Sequence, residues 1–257
     1  MNVFNKLLLL LLSCASGGLS AATAITVPYG SPEDQKPPTM TLAYEHPSAK
    51  ATMIVILGGE GRVGIHEKTK DTKTQSALMV KLLSEDGFSA KPINVIIFDS
   101  PLHLNPVSLR YSNEHLDRIR SAIMFYQSKY RLPIILFGHS NGSLSVTEYL
   151  NKNIQSPGIS ALVLSASKSD IVIKQPLSLP VMFLHHVDDQ CRLTPFYAAN
   201  RNFEKLKSVN THFTGLGVVK GGDASGDPCR DGRHMFLGAY EEAAHLLSEF
   251  INNHVIR

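Results

Sequence analysis

Continuous apolar runs recur along the chain, separated by stretches in which apolar residues return at helical spacing. The runs at 53–57, 93–98, 134–137, 159–164 and 181–184 do not alternate with polar residues, the pattern of strands covered on both faces. A last strand is read at 213–219. Between the runs, Leu116, Ile119, Ile123, Tyr126 and Tyr130 form one stripe that starts after Ser112, a suitable N-cap, and ends at Pro133. Leu78, Met79, Leu82 and Leu83 make a shorter stripe before Gly87. Val146, Tyr149, Leu150 and Ile154 make another before Pro157-Gly158. Phe196, Ala199, Phe203 and Leu206 follow Thr194-Pro195, a helix-opening pair. Tyr240, Ala243, Leu247, Phe250 and Ile251 form the last stripe. Strand-helix repetition of this kind predicts a mostly parallel central sheet with helices on both faces. Residues 40–44 alternate loosely and suit an edge strand, preceded by an extended Pro-rich segment at 25–39. The polar stretch 66–74 reads as a solvated loop, and 99–111 is the longest candidate lid. No internal repeat and no large cap domain are apparent.

Composition adds bounds. The chain has 257 residues, 43% of them hydrophobic, enough for one domain with a full core. The net charge of +3 is not gathered into a basic stripe, so no nucleic-acid partner is expected. The N-terminus differs from the rest: Lys6, a leucine run at 7–12, then small residues through Ala24. This is the pattern of a secretory signal over 1–24, leaving one domain at 25–257. Ala22-Thr23-Ala24 offers one cleavage site. Leu11-Leu12-Ser13-Cys14 resembles a bacterial lipobox, which would attach the protein to a membrane through Cys14, although Leu12 is not the favoured residue there. Either route delivers the mature chain to an oxidising compartment, periplasmic or outside the cell.

The chemistry gathers where strands end. The run 134–137 stops at Gly138-His139-Ser140-Asn141-Gly142, a Gly-x-Ser-x-Gly turn between a strand and a helix that presents the serine at its tip. A serine hydroxyl needs a base, and the base needs an orienting acid. The strand at 181–184 runs into His185-His186-Val187-Asp188-Asp189-Gln190-Cys191, with Asp189 the favoured acid and Asp188 a second candidate. His234 closes a Gly/Asp-rich loop between the last strand and the last helix, the place for the base. Gly58-Gly59-Glu60-Gly61 directly follows the run 53–57. Its amides, those of Gly59 or Glu60, can join the amide of Asn141 to hold an oxyanion. A phosphate-binding loop is excluded, since no Gly-Lys-Ser/Thr follows.

From Gly58 to His234 the chain resembles an α/β-hydrolase. The stretch from His185 to Cys191 with Thr194-Pro195-Phe196, then Gly221-Gly222 and Asp227-Pro228-Cys229 before His234, is similar to a group of exported bacterial members. The resemblance implies an α/β-hydrolase fold and a Ser140/Asp189/His234 triad, and it implies no substrate. One departure is the oxyanion loop, where many esterases have His-Gly and this chain has Leu57-Gly58-Gly59; only backbone amides are needed there. With Cys14 removed or lipidated, Cys191 and Cys229 remain, on the acid and base loops. In an exported protein they are expected to bridge, closing a loop of about forty residues worth roughly 4 kcal/mol of chain entropy. His185, His186, Asp189 and Cys191 match no zinc spacing, and Asp223, Asp227 and Asp231 lack EF-hand spacing; no metal and no cofactor is expected. His139 reads as a packing or hydrogen-bonding residue; Arg110 and His115 flank the candidate lid and read as surface residues, with a role near the site as the alternative. The expected function is hydrolysis of a small-molecule acyl ester, thioester or amide through an acyl-enzyme. An acyltransferase with the same triad and a non-catalytic ligand- or envelope-binding protein are the alternatives. Specificity is placed in the 99–111 and 165–180 regions.

Overall fold

The computed structural model describes residues 22–31, 33, 36–65, 92–101, 103–105, 108–154 and 158–256. The signal segment with Cys14, the polar stretch at 66–74 and the helix expected at 78–83 lie outside the described residues. Eight strands form one sheet: β1 (Thr23–Val27), β2 (Thr39–Tyr44), β3 (Ala51–Ile56), β4 (Ile93–Phe98), β5 (Ile134–His139), β6 (Ala161–Ser165), β7 (Val181–His186) and β8 (Thr214–Val219). Four described α-helices accompany them: α1 (Asn113–Tyr130), α2 (Gly142–Lys152), α3 (Phe196–Lys207) and α4 (Tyr240–His254). The strand order is β1-β2-β4-β3-β5-β6-β7-β8. β1 and β2 are antiparallel to their neighbours, and all pairings from β4 to β8 are parallel. This is the α/β-hydrolase fold.

The continuous apolar runs become strands because both faces are covered. Met53, Val55 and Leu57 point to one face with Val95, Ile97, Phe137 and Leu184, where α4 lays Ala243, Leu247 and Ile251 on them. Ile54 and Ile56 point to the other with Ile96, Phe98, Leu136 and Phe183, under Ile119 and Tyr126 of α1, Val146 and Leu150 of α2, and Phe203 of α3. Adjacent residues of one strand therefore serve two cores, and the few polar residues in β3, β4 and β5, Thr52, Asn94 and His139, are buried and hydrogen-bonded. Burying each such aliphatic side chain contributes about 1.5–3 kcal/mol. α1 starts as its sequence dictates, with the Ser112 hydroxyl accepting from the His115 amide at 3.2 Å. It ends at Arg131 in the left-handed conformation, φ 55°, two residues before Pro133.

Four expectations change. Residues 23–27 are a paired strand, β1, which makes β2 an interior strand of the sheet. β1 starts at Thr23, so cleavage after Ala24 would remove its first two residues. β7 continues through His185 and His186, both buried, because its register with Val218 and Val219 of β8 carries the ladder two residues past the apolar run. The described parts of the 99–111 segment are tied down: the Asp99 carboxylate accepts from the amides of Val63 and Ile65, the carbonyl of Leu104 accepts from Arg62, and Leu109–Tyr111 forms a 3-10 turn with Leu109 and Arg110 buried.

The topology locates the site. From β3 the chain steps outward to β4, then crosses back to place β5 on the other side of β3. That reversal of direction opens a crevice at the carboxyl ends of β3 and β5. The glycine loop after β3 and the Gly-x-Ser-x-Gly turn after β5 both open onto it.

Candidate active site

The turn after β5 is held by close packing. A Cβ on Gly142 would lie 2.0 Å from the Ile56 carbonyl oxygen, and one on Gly138 would lie 2.7 Å from Val146 Cγ2 and 2.8 Å from the Gly142 oxygen. The two glycines are thus needed for approach, letting α2 start hard against β3 and β5. The unusual backbone angle falls on Ser140 itself, φ 52°, a strain of order 1–3 kcal/mol that persists only when surroundings impose it. They do so here: Ser140 N donates to the Ser165 oxygen at 2.9 Å. The Ser140 carbonyl accepts from Ser143 N at 2.9 Å and Ser143 Oγ at 2.6 Å.

The glycine loop lies against the serine. A Cβ on Gly58 would sit 2.8 Å from Ser140 Cβ and 3.4 Å from its Oγ. The loop closes by the Gly61 amide donating to the Gly58 oxygen at 2.8 Å, with Gly59 at φ 52°. Asn141 Nδ2 donates to the Gly59 oxygen at 3.1 Å, joining the loop to the turn. Gly59, Glu60 and Asn141, the three proposed amide donors, thus lie within one small region beside Ser140.

The acid and base loops meet on the other side. His234 Nδ1 donates to Asp189 Oδ2 at 2.9 Å, both side chains fully buried. Asp189 also accepts from Thr194 Oγ1 at 2.9 Å and from the Cys191 amide at 2.9 Å, and His185 Nε2 stands 3.3 Å from Oδ2. Burial alone would push the Asp189 carboxyl up. Hydrogen bonds from His185 and His234, the nearby His234 charge and the Cys191 amide outweigh it, and the carboxyl is held well below the usual carboxylate range. Asp188 is not part of this arrangement; it is largely exposed, 3.7 Å from Arg233. Cys191 and Cys229 are joined, with Cα atoms 4.7 Å apart and a sequence separation of 38. One residue therefore gives its amide to the acid and its sulfur to the loop that carries the base.

His139 supports the base from below. Its ring lies 5.0 Å from that of His234, with Nδ1 at Ser165 Oγ and Nε2 at Met235 Sδ. Burial first, then the neighbouring His234, pushes its pKa well down, so it stays a neutral packing group. His234 Nε2, the ring nitrogen not bonded to Asp189, is buried and has no hydrogen-bond partner among the described residues. The structure brings Asp189 and His234 together and leaves the link from Ser140 Oγ to His234 Nε2 unmade.

Three expectations are corrected here. Thr194 does not cap α3: Pro195 occupies the cap position and no side chain caps it, because the Thr194 hydroxyl is spent on Asp189. Arg110 and His115 are not surface residues; they are 3% and 0% exposed. Arg110 donates to the Leu57, Gly58 and Gly59 carbonyls and to Ser145 Oγ, and His115 Nε2 also meets Ser145 Oγ at 2.9 Å. No local pattern announces this cluster, since its partners are about fifty residues earlier and thirty-five later in the chain. Among the described residues, no group of His, Cys, Asp and Glu could hold a metal ion, and no helix is long and apolar enough to cross a membrane.

No protein-family model matches this sequence, and no curated protein matches it. Solved structures do. A serine hydrolase of Xanthomonas campestris, described as lacking a lid, superposes with a TM-score of 0.60 at 13% identity, covering 90% of this chain and 94% of its own. A dienelactone hydrolase of Anabaena variabilis gives 0.61 at 14% identity, covering 91% and 98%. An esterase of Pyrococcus furiosus gives 0.60 at 12% identity, covering 91% and 93%. These neighbours are α/β-hydrolases, and the likeness is one of fold.

Proposed function

We propose that the protein is a serine hydrolase that cleaves a small acyl ester through an acyl-enzyme, working in an exported, oxidising location. The observation that carries this reading is the buried Asp189–His234 hydrogen bond on Nδ1. It fixes the tautomer and leaves Nε2 as the free acceptor beside a strand-turn-helix serine. The unmade Ser140 link fits an unliganded site, where catalytic hydrogen bonds are often long and tighten with substrate. Ser140 Oγ attacks the acyl carbon as its proton passes to His234 Nε2, and Asp189 stabilises the imidazolium. The carbonyl electrons move to oxygen, which accepts from the amides of Asn141 and of Gly59 or Glu60. Collapse expels the alcohol, which takes the proton from His234. Water, deprotonated by His234, then releases the carboxylic acid and returns the proton to Ser140. The disulfide supports an oxidising location.

The experiment is labelling by a fluorophosphonate probe together with a panel of p-nitrophenyl esters of varied chain length. Wild type is expected to take one label at Ser140 and to hydrolyse part of the panel; Ser140→Ala is expected to do neither. A folded wild type that takes no label rejects the reading and favours ligand binding without turnover.

A further inference from the structure

Arg110 stands out among the buried groups that the proposed mechanism does not use. It sits in the 3-10 turn before α1, only 3% exposed. Among the described residues no carboxylate lies within ion-pair distance of it. Burial lowers its pKa to about 10, so it is a cation at neutral pH. A buried cation without a counter-ion is costly and persists only when other polar groups satisfy it. Here Nη2 meets the carbonyls of three successive residues, while Nε has no hydrogen-bond partner among the described residues. Nη2 lies 2.9 Å from the Leu57 oxygen, 3.3 Å from that of Gly58 and 2.9 Å from that of Gly59.

We propose that Arg110 is a positioning residue for the oxyanion hole, fixing the direction of the glycine-loop amides. This rests on the reading of Ser140 as the nucleophile. In a trans peptide the C=O of one residue and the N–H of the next point in opposite directions. Holding the Gly58 and Gly59 oxygens on the buried side therefore turns the Gly59 and Glu60 amides away from Arg110. Glycines at 58 and 59 give the loop no side chain to pack and free access to both signs of φ; apart from Arg110, their oxygens are held by the Gly61 amide at 2.8 Å and by the exposed Asn141 Nδ2 at 3.1 Å, and Arg110 adds the buried hold. Gly61 has no room for a side chain for the same reason: a Cβ there would lie 2.8 Å from Arg110 Nη2 and 2.7 Å from Ser100 Oγ, at φ +71°. The other end of the guanidinium is anchored as well. Nη1 donates to Ser145 Oγ at 3.1 Å, on the helix that begins behind Ser140. Ser145 Oγ in turn meets His115 Nε2, whose imidazole is kept neutral by burial and by the charges of Arg110 and Arg118. Arg110 thus ties the oxyanion loop to the nucleophile's own helix.

The test compares wild type, Arg110→Met, Arg110→Lys and Ser145→Ala as full exported chains with the disulfide intact. The readouts are the rate of fluorophosphonate labelling, kcat and KM for p-nitrophenyl butyrate, and inhibition by phenylboronic acid, whose tetrahedral adduct places an oxygen in the hole. Arg110→Met is expected to lower kcat and the labelling rate about 10²- to 10³-fold, with KM within about twofold. Its phenylboronic acid inhibition constant should rise as kcat falls, a parallel that a general loss of fold would not produce. Arg110→Lys, which keeps the charge and one short donor set, should recover part of the loss. A labelled wild type with Arg110→Met labelled equally fast overturns the positioning role and leaves the serine hydrolase reading standing. A wild type that takes no label removes both. If neither Arg110 variant folds, Ser145→Ala decides: a fall in kcat of about threefold at unchanged KM is expected, and an unchanged kcat overturns the proposal.

Discussion

On one side of the crevice, Asp189 and His234 are held by things that are present. Two hydrogen-bonding side chains, a backbone amide and a buried carboxylate converge there, and a covalent bridge joins the two loops. On the other side, Ser140 and its glycine loop are held by things that are missing. Gly58, Gly138 and Gly142 carry no Cβ, so backbone comes within contact of backbone and the serine is pressed into a positive φ. The first side can lose a partner and degrade in steps, because each donor to Asp189 is one of several. The second has no slack: interiors packed at this density respond to a single added methyl. The difference teaches where precision is kept. The Asp189–His234 pair is set by electrostatics, which tolerate a few tenths of an ångström. Ser140 and the glycine loop are set by sterics, which do not.

The largest expected effect tests the electrostatic side at its centre. Asp189→Asn keeps the shape but removes the charge and favours the wrong His234 tautomer, and kcat for p-nitrophenyl butyrate should fall about 10⁴-fold. The same variant alters acid stability. The folded carboxyl is held below its unfolded value, so its stabilisation is complete above about pH 4 and is lost as pH falls through the lower folded value. Chemical unfolding followed from pH 6 to pH 2 should show a steeper acid decline in wild type than in Asp189→Asn. Equal declines would remove Asp189 as the source.

Next comes the steric side. Gly58→Ala sets a methyl 2.8 Å from Ser140 Cβ, and displacement of the serine or the loop should cost about 10²-fold in kcat. Gly58 is buried, so thermal unfolding should also shift down, by the roughly 1–3 kcal/mol of an overpacked site. A large loss of melting temperature with kcat retained would reverse the comparison.

Removing the bridge should act on stability more than on chemistry. Cys191→Ser/Cys229→Ser opens a loop whose ends are 38 positions apart in sequence, and denaturant titration should show a loss of up to about 4 kcal/mol. Activity at low temperature is expected to remain within about tenfold, because Cys191 N and Thr194 still hold Asp189. Thr194→Val should have the smallest effect, a fall of about tenfold or less in kcat, equivalent to about 1.4 kcal/mol, since Asp189 keeps its other donors. A loss as large as that of Asp189→Asn would mean that the acid is not redundantly held.

Much of this was legible in the sequence because it is carried by local pattern. The continuous runs identified β3, β4, β5 and β7, since a strand buried on both faces has little place for a polar residue. The Ser112 cap, the Gly-x-Ser-x-Gly turn and the order of Ser140, Asp189 and His234 along the chain needed no coordinates to be noticed. The pairing of Cys191 with Cys229 followed once their loops were supposed adjacent. Other features needed the third dimension. β1 was hidden because a short strand with one exposed face differs little from an extended Pro-rich segment. The end of β7 was hidden because His185 and His186 are held by partners from other loops, not by apolar character. The choice of Asp189 over Asp188 is a matter of which neighbour in the chain faces inward. Arg110 is the clearest case. An arginine in a loop looks like a surface residue, and only the crossing of the chain from β4 back to β5 sets it beneath the carbonyls of residues 57–59, where backbone acceptors, invisible to any side-chain pattern, take its Nη2.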